Sequence, residues 1–253
     1  MEIRNIIYDV YGTLISTGTG SVDATRKILM QSRSPVAAAL DPQEVYRDWK
    51  AFHRENIDRV NAALFDTEKH LSEVEFVNER EIFTRDLARI YQRYGIDGDP
   101  QTDVQPMLDS LSARALFPEV RCALLALSQQ YRQAIGSTTD TAPLLQNFAR
   151  TALCEMDGTP LFSYVFTSEM LGVYKPQREF YLRILEQAGW RAEETVFVGD
   201  SITDDVLGPR AVGLRTVLLD RKGRYRGMHE TIGADAVIAS LDALADALHD
   251  LSA

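Results

Sequence analysis

The chain has 253 residues, 45% of them hydrophobic and 25% charged, enough for one large α/β domain or for a core domain with a smaller insertion. No apolar run approaches the roughly 18 residues that a membrane span needs, and the start, "MEIRNIIYDV", lacks a basic segment followed by a long apolar one, so a cytoplasmic protein is expected. A formal net charge of -10 argues against nucleic acid as a partner, because phosphate-backbone binding relies on clustered Lys and Arg; a small substrate held by local positive groups stays compatible.

The first predicted element is a buried strand, Ile6-Ile7-Tyr8, that ends in a single carboxylate, Asp9, and gives way at once to Gly12-Thr13, residue types that turn a chain. Residues 17–112 then change character. "DPQEVYRDWKAFHRENIDRVNAALF" and "EVEFVNEREIFTRDLARIYQRYG" are long, charged and amphipathic, which predicts a helical insertion. Asp41-Pro42 suits a helix start, and Gly95 and Gly98 suit the break after another.

From Leu116 onward the pattern alternates in the α/β manner. "FPEVRCALLALSQQY" reads as a helix, "RQAIGSTTD" as a strand stopping at Ser137, and "SYVFTSEM" as the next strand. "REFYLRILEQAG" reads as a helix ended by Gly189; "TVFVGDS" and "RTVLLD" read as strands, and "SLDALADALHDLSA" as a closing surface helix. Cys122 and Cys154 show no metal-ligand spacing and are read as two buried thiols. The fold class is therefore α/β, a Rossmann-like parallel sheet in residues 1–16 and 113–253 with a helical insertion at 17–112.

In open parallel sheets ligands bind at the carboxyl edge, so residues following several strands converge there. Here those residues are Asp9, Ser137 and the cluster Asp200, Asp204 and Asp205, with Lys175 just before a helix. A carboxylate at a strand end can attack phosphorus or carbon and form an ester that water later hydrolyses. Ser137 can donate to a phosphoryl or carboxylate oxygen, with Thr138 as a second donor, and Lys175 supplies a fixed positive charge. Three carboxylates within six residues repel unless compensated, and hard oxygen ligands of this kind suit magnesium. "SITDD" is equally a good helix N-terminus, with Ser201 or Thr203 capping.

Four motifs, "DVYGTL" (9–14), "AIGST" (134–138), "GVYKP" (172–176) and "VGDSITDD" (198–205), occur in an order that resembles the haloacid dehalogenase (HAD) superfamily, with the helical insertion where that family places its C1-type cap. The resemblance implies a hydrolase with Asp9 as nucleophile. It further implies Mg²⁺ bound by Asp9, Asp200 and the Tyr11 carbonyl, with Asp204 or Asp205 acting through water or holding Lys175. Thr13, Ser137, Thr138 and Lys175 are the implied substrate contacts.

Most phosphatases of that superfamily carry a second Asp two residues after the nucleophile as general acid and base; this chain has Tyr11. The 2-haloacid dehalogenases also have tyrosine there, because a halide leaves without a proton. They are metal-free and largely replace the acids of the fourth motif, which this chain keeps as Gly199-Asp200-Ser201. The expected substrate is thus a small phosphorylated metabolite, with a halogenated acid as the alternative and a catalytically idle binding protein as a third reading. Arg26, Arg33, Arg47, Lys50, His53 and Arg54 of the insertion are candidates to reach an anionic tail, and oligomeric state is not legible.

Overall fold

The computed structural model describes residues 2–16, 20–65, 76–153, 155–156 and 159–252. Two compact units emerge: residues 1–17, 115–141 and 148–253 form one, and residues 18–114 with 142–147 form the other.

The first unit is built on a six-stranded sheet in the order β5-β2-β1-β6-β7-β8, with β1 at Asn5–Tyr8, β2 at Arg132–Ser137, β5 at Tyr164–Thr167, β6 at Thr195–Gly199, β7 at Arg215–Leu219 and β8 at Ala236–Ile238. Every pairing is parallel. β3 (Glu155–Met156) and β4 (Thr159–Pro160) form a separate antiparallel pair. β1 lies between β2 and β6 and is buried on both faces, which is why it reads as a continuous apolar run. Ile7 packs into a layer with Phe166, Phe180, Tyr181, Ile184 and Phe197. Each such side chain, fully buried, contributes about 1.5–3 kcal/mol. Tyr8 points away from the chemistry: its hydroxyl donates to Gln133 Oε1 at 2.8 Å, and Gln133 Nε2 donates to the carbonyls of Leu124 and Leu161, so this buried polar group is satisfied.

Tyr8 is in register with Ile135 on one side and Val198 on the other. The residues that end β1, β2 and β6 therefore arrive at one level of the carboxyl edge. The strand order reverses at β1, where such sheets open a crevice for ligands. Beyond that edge the chain leaves this unit and rejoins it through a short clasp: Ile15 bridges Leu116 antiparallel, Ser16 N donates to the Ala115 carbonyl at 2.8 Å and Phe117 N to the Leu14 carbonyl at 3.1 Å.

The second unit is helical, with its principal helices at Gly20–Gln31, Pro42–Phe65, Glu79–Tyr94 and Gln105–Ser112. Its core gathers Ile28, Trp49, Phe83, Leu87, Ile90 and Leu111. Asp41 Oδ1 accepts from Gln43 N at 3.0 Å, starting one helix as its Asp-Pro pair predicts. Asn78 caps the next by accepting from Glu81 N at 2.9 Å, and Gly95 ends it at φ +66°. The helix thus begins at Glu79, later than the amphipathic run suggests.

One expectation needs correction. Cys122 is exposed rather than buried, because the helix Val120–Ser128 turns Val120, Leu124 and Leu127 inward and leaves position 122 on its outer face. Cys154 lies outside the described residues. β8 and the β3–β4 pair are strands that the sequence pattern does not predict.

Candidate active site

Asp9 follows β1 directly, and its backbone N–H donates to the Val198 carbonyl at 2.9 Å, which holds the nucleophile candidate against β6. The chain then turns tightly: Gly12 N donates to the Ile15 carbonyl at 2.8 Å and Leu14 N to the Val10 carbonyl at 2.8 Å. Gly12 takes φ +97°, a conformation that L side chains rarely adopt. Tyr11 is half-buried in this turn, while Thr13 is fully buried.

Lys175 joins two carboxylates. Its Nζ donates to Asp9 Oδ1 at 2.6 Å and to Asp205 Oδ1 at 2.8 Å, with its side chain only 3% exposed. The backbone N–H of Lys175 donates to Thr138 Oγ1 at 3.4 Å, so Thr138 helps set the lysine loop. Pro176 precedes the helix Arg178–Ala188 by two residues and does not enter its first turn. Burial disfavours the ammonium charge, but Asp205, Asp9 and Asp204 outweigh it and hold Lys175 above its ordinary pKa.

Asp205 is in a one-turn π-helix, Ile202–Leu207, that follows β6. Ser201 caps it, its Oγ accepting from Asp204 N at 3.2 Å, as the helix-start reading of "SITDD" expects. Asp205 Oδ2 accepts from Ser201 N at 2.9 Å, so both of its oxygens are engaged. Gly199 makes room for it: a β-carbon there would stand 2.2 Å from Asp205 Cγ.

Asp9, Asp200 and Asp205 each offer a carboxylate oxygen within 4.8 Å of the others; Asp204 is outside that group. Burial, then the charge of Asp9, pushes the Asp200 pKa up to about 6 against the pull of Lys175. Burial raises Asp204 and Asp205 as well. One buried lysine therefore faces several crowded carboxylates, and the donor set of hard oxygens fits a divalent cation. Because Asp205 is already committed to Lys175 and Ser201, Asp9 and Asp200 are the two with capacity for such an ion.

Ser137 ends β2 and is 1% exposed; its Oγ, like Thr13 Oγ1, is buried without a hydrogen-bond partner among the described residues. Buried hydroxyls left this way are costly unless a ligand completes them. Four of the insertion's six candidates are engaged within their own unit. Arg26 pairs with Asp23 and Arg47 with Glu44, Lys50 lies 5.0 Å from the Tyr46 ring centroid, and His53 Nδ1 is 2.9 Å from the fully buried Asp86.

Two neighbours of the site are absent from the sequence reading. Tyr181 donates its hydroxyl to the Asp204 carbonyl, bracing the π-helix. Arg221, just after β7, donates from Nη2 to the Thr13 carbonyl at 2.7 Å, from Nε to the Gly12 carbonyl at 3.3 Å and from Nη1 to Glu119 Oε1 at 2.5 Å, and its guanidinium lies 3.7 Å from the Phe117 ring centroid. The available signal for Arg221 was its place directly after a strand end on the site's edge.

Residues 3–213 match the family model described as haloacid dehalogenase-like hydrolase. Among curated relatives, the glyceraldehyde 3-phosphate phosphatase of Methanocaldococcus jannaschii is 39% identical over 92 residues, which cover 36% of this chain and 40% of that protein. Haloacid dehalogenase-like hydrolase domain-containing protein 2 of Bos taurus is 29% identical over 184 residues, 64% of this chain and 68% of that one. The match to the archaeal phosphatase thus spans well under half of its length. Among solved structures, the magnesium-bound HAD-hydrolase YfnB of Bacillus subtilis superposes with a TM-score of 0.73 at 19% identity, covering 98% of this chain and 99% of that one. The 2-haloacid dehalogenase of Pseudomonas syringae pv. Tomato gives a TM-score of 0.70 at 20% identity with the same coverage. At these identities the structural likenesses speak for the fold.

Proposed function

Because the chain belongs to the haloacid dehalogenase-like hydrolases, we propose that it is a magnesium-dependent phosphomonoesterase acting on a small phosphorylated metabolite. The observation that carries this reading is the Asp200 carboxylate, crowded against Asp9 in a partly buried site where Lys175 is committed to Asp9 and Asp205. A metal-free dehalogenase has no use for that carboxylate, which would repel an anionic haloacid. Phosphatase names among the partial relatives support the same choice.

In this reading Asp9 attacks phosphorus. Lys175 holds Oδ1, leaving Oδ2 to form the new O–P bond as the ester oxygen departs with the P–O bond electrons. Ser137 Oγ and Thr13 Oγ1 donate to the phosphoryl oxygens, which satisfies two otherwise orphaned hydroxyls. Thr138 keeps the lysine loop in place. Water then attacks phosphorus, releasing phosphate and restoring the Asp9 carboxylate. Asp9, Asp200 and the Tyr11 carbonyl would hold the magnesium, which would supply the positive charge that these carboxylates and the phosphate together require. Tyr11 leaves no carboxylic acid two residues after the nucleophile, so turnover favours esters whose leaving group departs without a proton.

Tyr11 also favours a second reading, a 2-haloacid dehalogenase with an aspartyl ester intermediate. One experiment separates the two: hydrolysis of p-nitrophenyl phosphate and a panel of phosphorylated sugars and nucleotides with Mg²⁺ or with chelator, beside halide release from 2-chloropropionate. Magnesium-dependent phosphate release is expected. Chelator-insensitive halide release without phosphatase activity selects the dehalogenase. No helix among the described residues is long and apolar enough to cross a membrane.

A further inference from the structure

In a chain of formal net charge -10, the loop after β7 carries four cations within six residues: Arg221, Lys222, Arg224 and Arg226. Asp220 shapes this loop. Its Oδ2 accepts from Tyr225 N at 2.6 Å and its carbonyl from Gly223 N at 3.0 Å, so the segment folds back on itself. Arg221 fastens the loop to the turn after Asp9 through the carbonyls of Gly12 and Thr13. The remaining three cations are exposed.

Several exposed arginines elsewhere in this chain are paired: Arg26 with Asp23, Arg85 with Glu81, Arg191 with Glu193. Among the described residues no ion pair involves Lys222, Arg224 or Arg226. Arg224 rests 5.2 Å from the Tyr225 ring centroid, and the Gly12 turn to which Arg221 ties the loop lies directly against Asp200. The loop thus borders the site on its Asp200 side, where the carboxylate cluster would otherwise repel any anionic group beyond the reacting phosphate.

We propose that this loop receives a second anionic group of the substrate, so that the preferred substrates are phosphomonoesters bearing a further phosphate or a carboxylate. The inference rests on the phosphatase reading above. Arg221 anchors the loop, and Lys222, Arg224 and Arg226 supply the positive field.

The test compares 3-phosphoglycerate with glycerol 3-phosphate, esters of similar size that differ in the carboxylate. With Mg²⁺ the native enzyme should favour 3-phosphoglycerate. A Lys222→Gln, Arg224→Gln, Arg226→Gln triple variant should lower its kcat/KM by about tenfold relative to glycerol 3-phosphate, chiefly through KM. High salt should shrink the native preference in the same direction. Circular dichroism checks the fold, and the single Arg224→Gln and Arg226→Gln variants carry the comparison if the triple one fails to fold. An unchanged ratio between the two esters overturns the proposal. If the native enzyme hydrolyses neither ester, the loop is judged by calorimetric binding of both compounds to the Mg²⁺-loaded protein, while the phosphatase reading itself stands or falls on the wider phosphate panel. Tighter binding of 3-phosphoglycerate that the triple variant loses then upholds an anion site; equal affinities overturn it.

Discussion

Asp200 occupies the space that a side chain on Gly12 would need: a β-carbon there would stand 2.4 Å from Asp200 Oδ2 and 2.6 Å from its Cγ. The nucleophile turn and the end of β6 are thereby fitted to each other through the one residue type that leaves room. Gly12→Ala must both strain a φ of +97° and displace Asp200. Activity should fall by about 100-fold, as a displacement near 1 Å in an active site does, and Mg²⁺ affinity should fall with it. Calorimetric titration of Mg²⁺ beside steady-state turnover checks both.

Asp9→Asn should reduce turnover to background while the protein keeps its circular dichroism spectrum, since the amide is nearly isosteric but cannot form the ester. Retained turnover in a folded Asn variant removes Asp9 from the chemistry.

Tyr11→Asp restores a carboxyl group two residues beyond the nucleophile. Turnover of esters with alkoxide leaving groups should rise by about 10² or more, with a smaller gain for p-nitrophenyl phosphate, whose phenolate departs without protonation. The ratio of the two rates is the quantity to measure. A dehalogenase should instead lose activity through repulsion of its anionic substrate.

Arg221→Lys keeps the charge but loses the planar fork that reaches two carbonyls and Glu119 together. We expect kcat to fall by about tenfold with little change in KM, because the turn carrying Thr13 is held less firmly. Arg221→Gln should in addition lower stability by about 2 kcal/mol, since Glu119 is left largely buried without its partner. Urea unfolding and steady-state kinetics separate the two effects.

The pH dependence follows from Asp200. Its pKa is about 6 in the folded, metal-free protein against an ordinary value of 3.8, so the native state takes up a proton that the unfolded chain releases. Stability of the metal-free protein should therefore decrease as pH rises from about 4 through 6, with Asp204 and Asp205, raised by the same burial, carrying the decline further. Magnesium competes with the same proton, so its affinity should climb with pH up to about 6, approaching tenfold per unit on the acid side. Thermal unfolding from pH 4.5 to 8, with chelator and with Mg²⁺, should show the two curves diverging as pH rises.

Strand ends were legible because buried parallel strands are short apolar runs that stop abruptly at polar residues. Asp9, Ser137 and Asp200 stand at three such stops, and parallel register brings them to one level. Lys175 was marked by its place before a helix, although its bonds span 166 residues to Asp9 and 30 to Asp205. Arg221 left a weaker mark, its place just past the end of β7, because its contact with Thr13 crosses 208 residues and a run of further cations follows it. β8 was missed because three residues at a sheet edge give too short a pattern. Cys122 was misplaced by composition, where the helical period of Val120, Leu124 and Leu127 would have put it outside.

The clasp of Ile15 with Leu116 brings the two ends of the excursion from the sheet unit side by side. A polymer whose ends already meet can change length at little thermodynamic expense, about 0.6 kcal/mol for each doubling. The sheet unit is accordingly a host for interchangeable inserts. Recombination between Ser16 and Ala115 can trade one insert for another while Asp9, Lys175, Asp200 and Asp205, all outside that interval, keep their scaffold. The length of the excursion and the chemistry of the strand ends can therefore change independently.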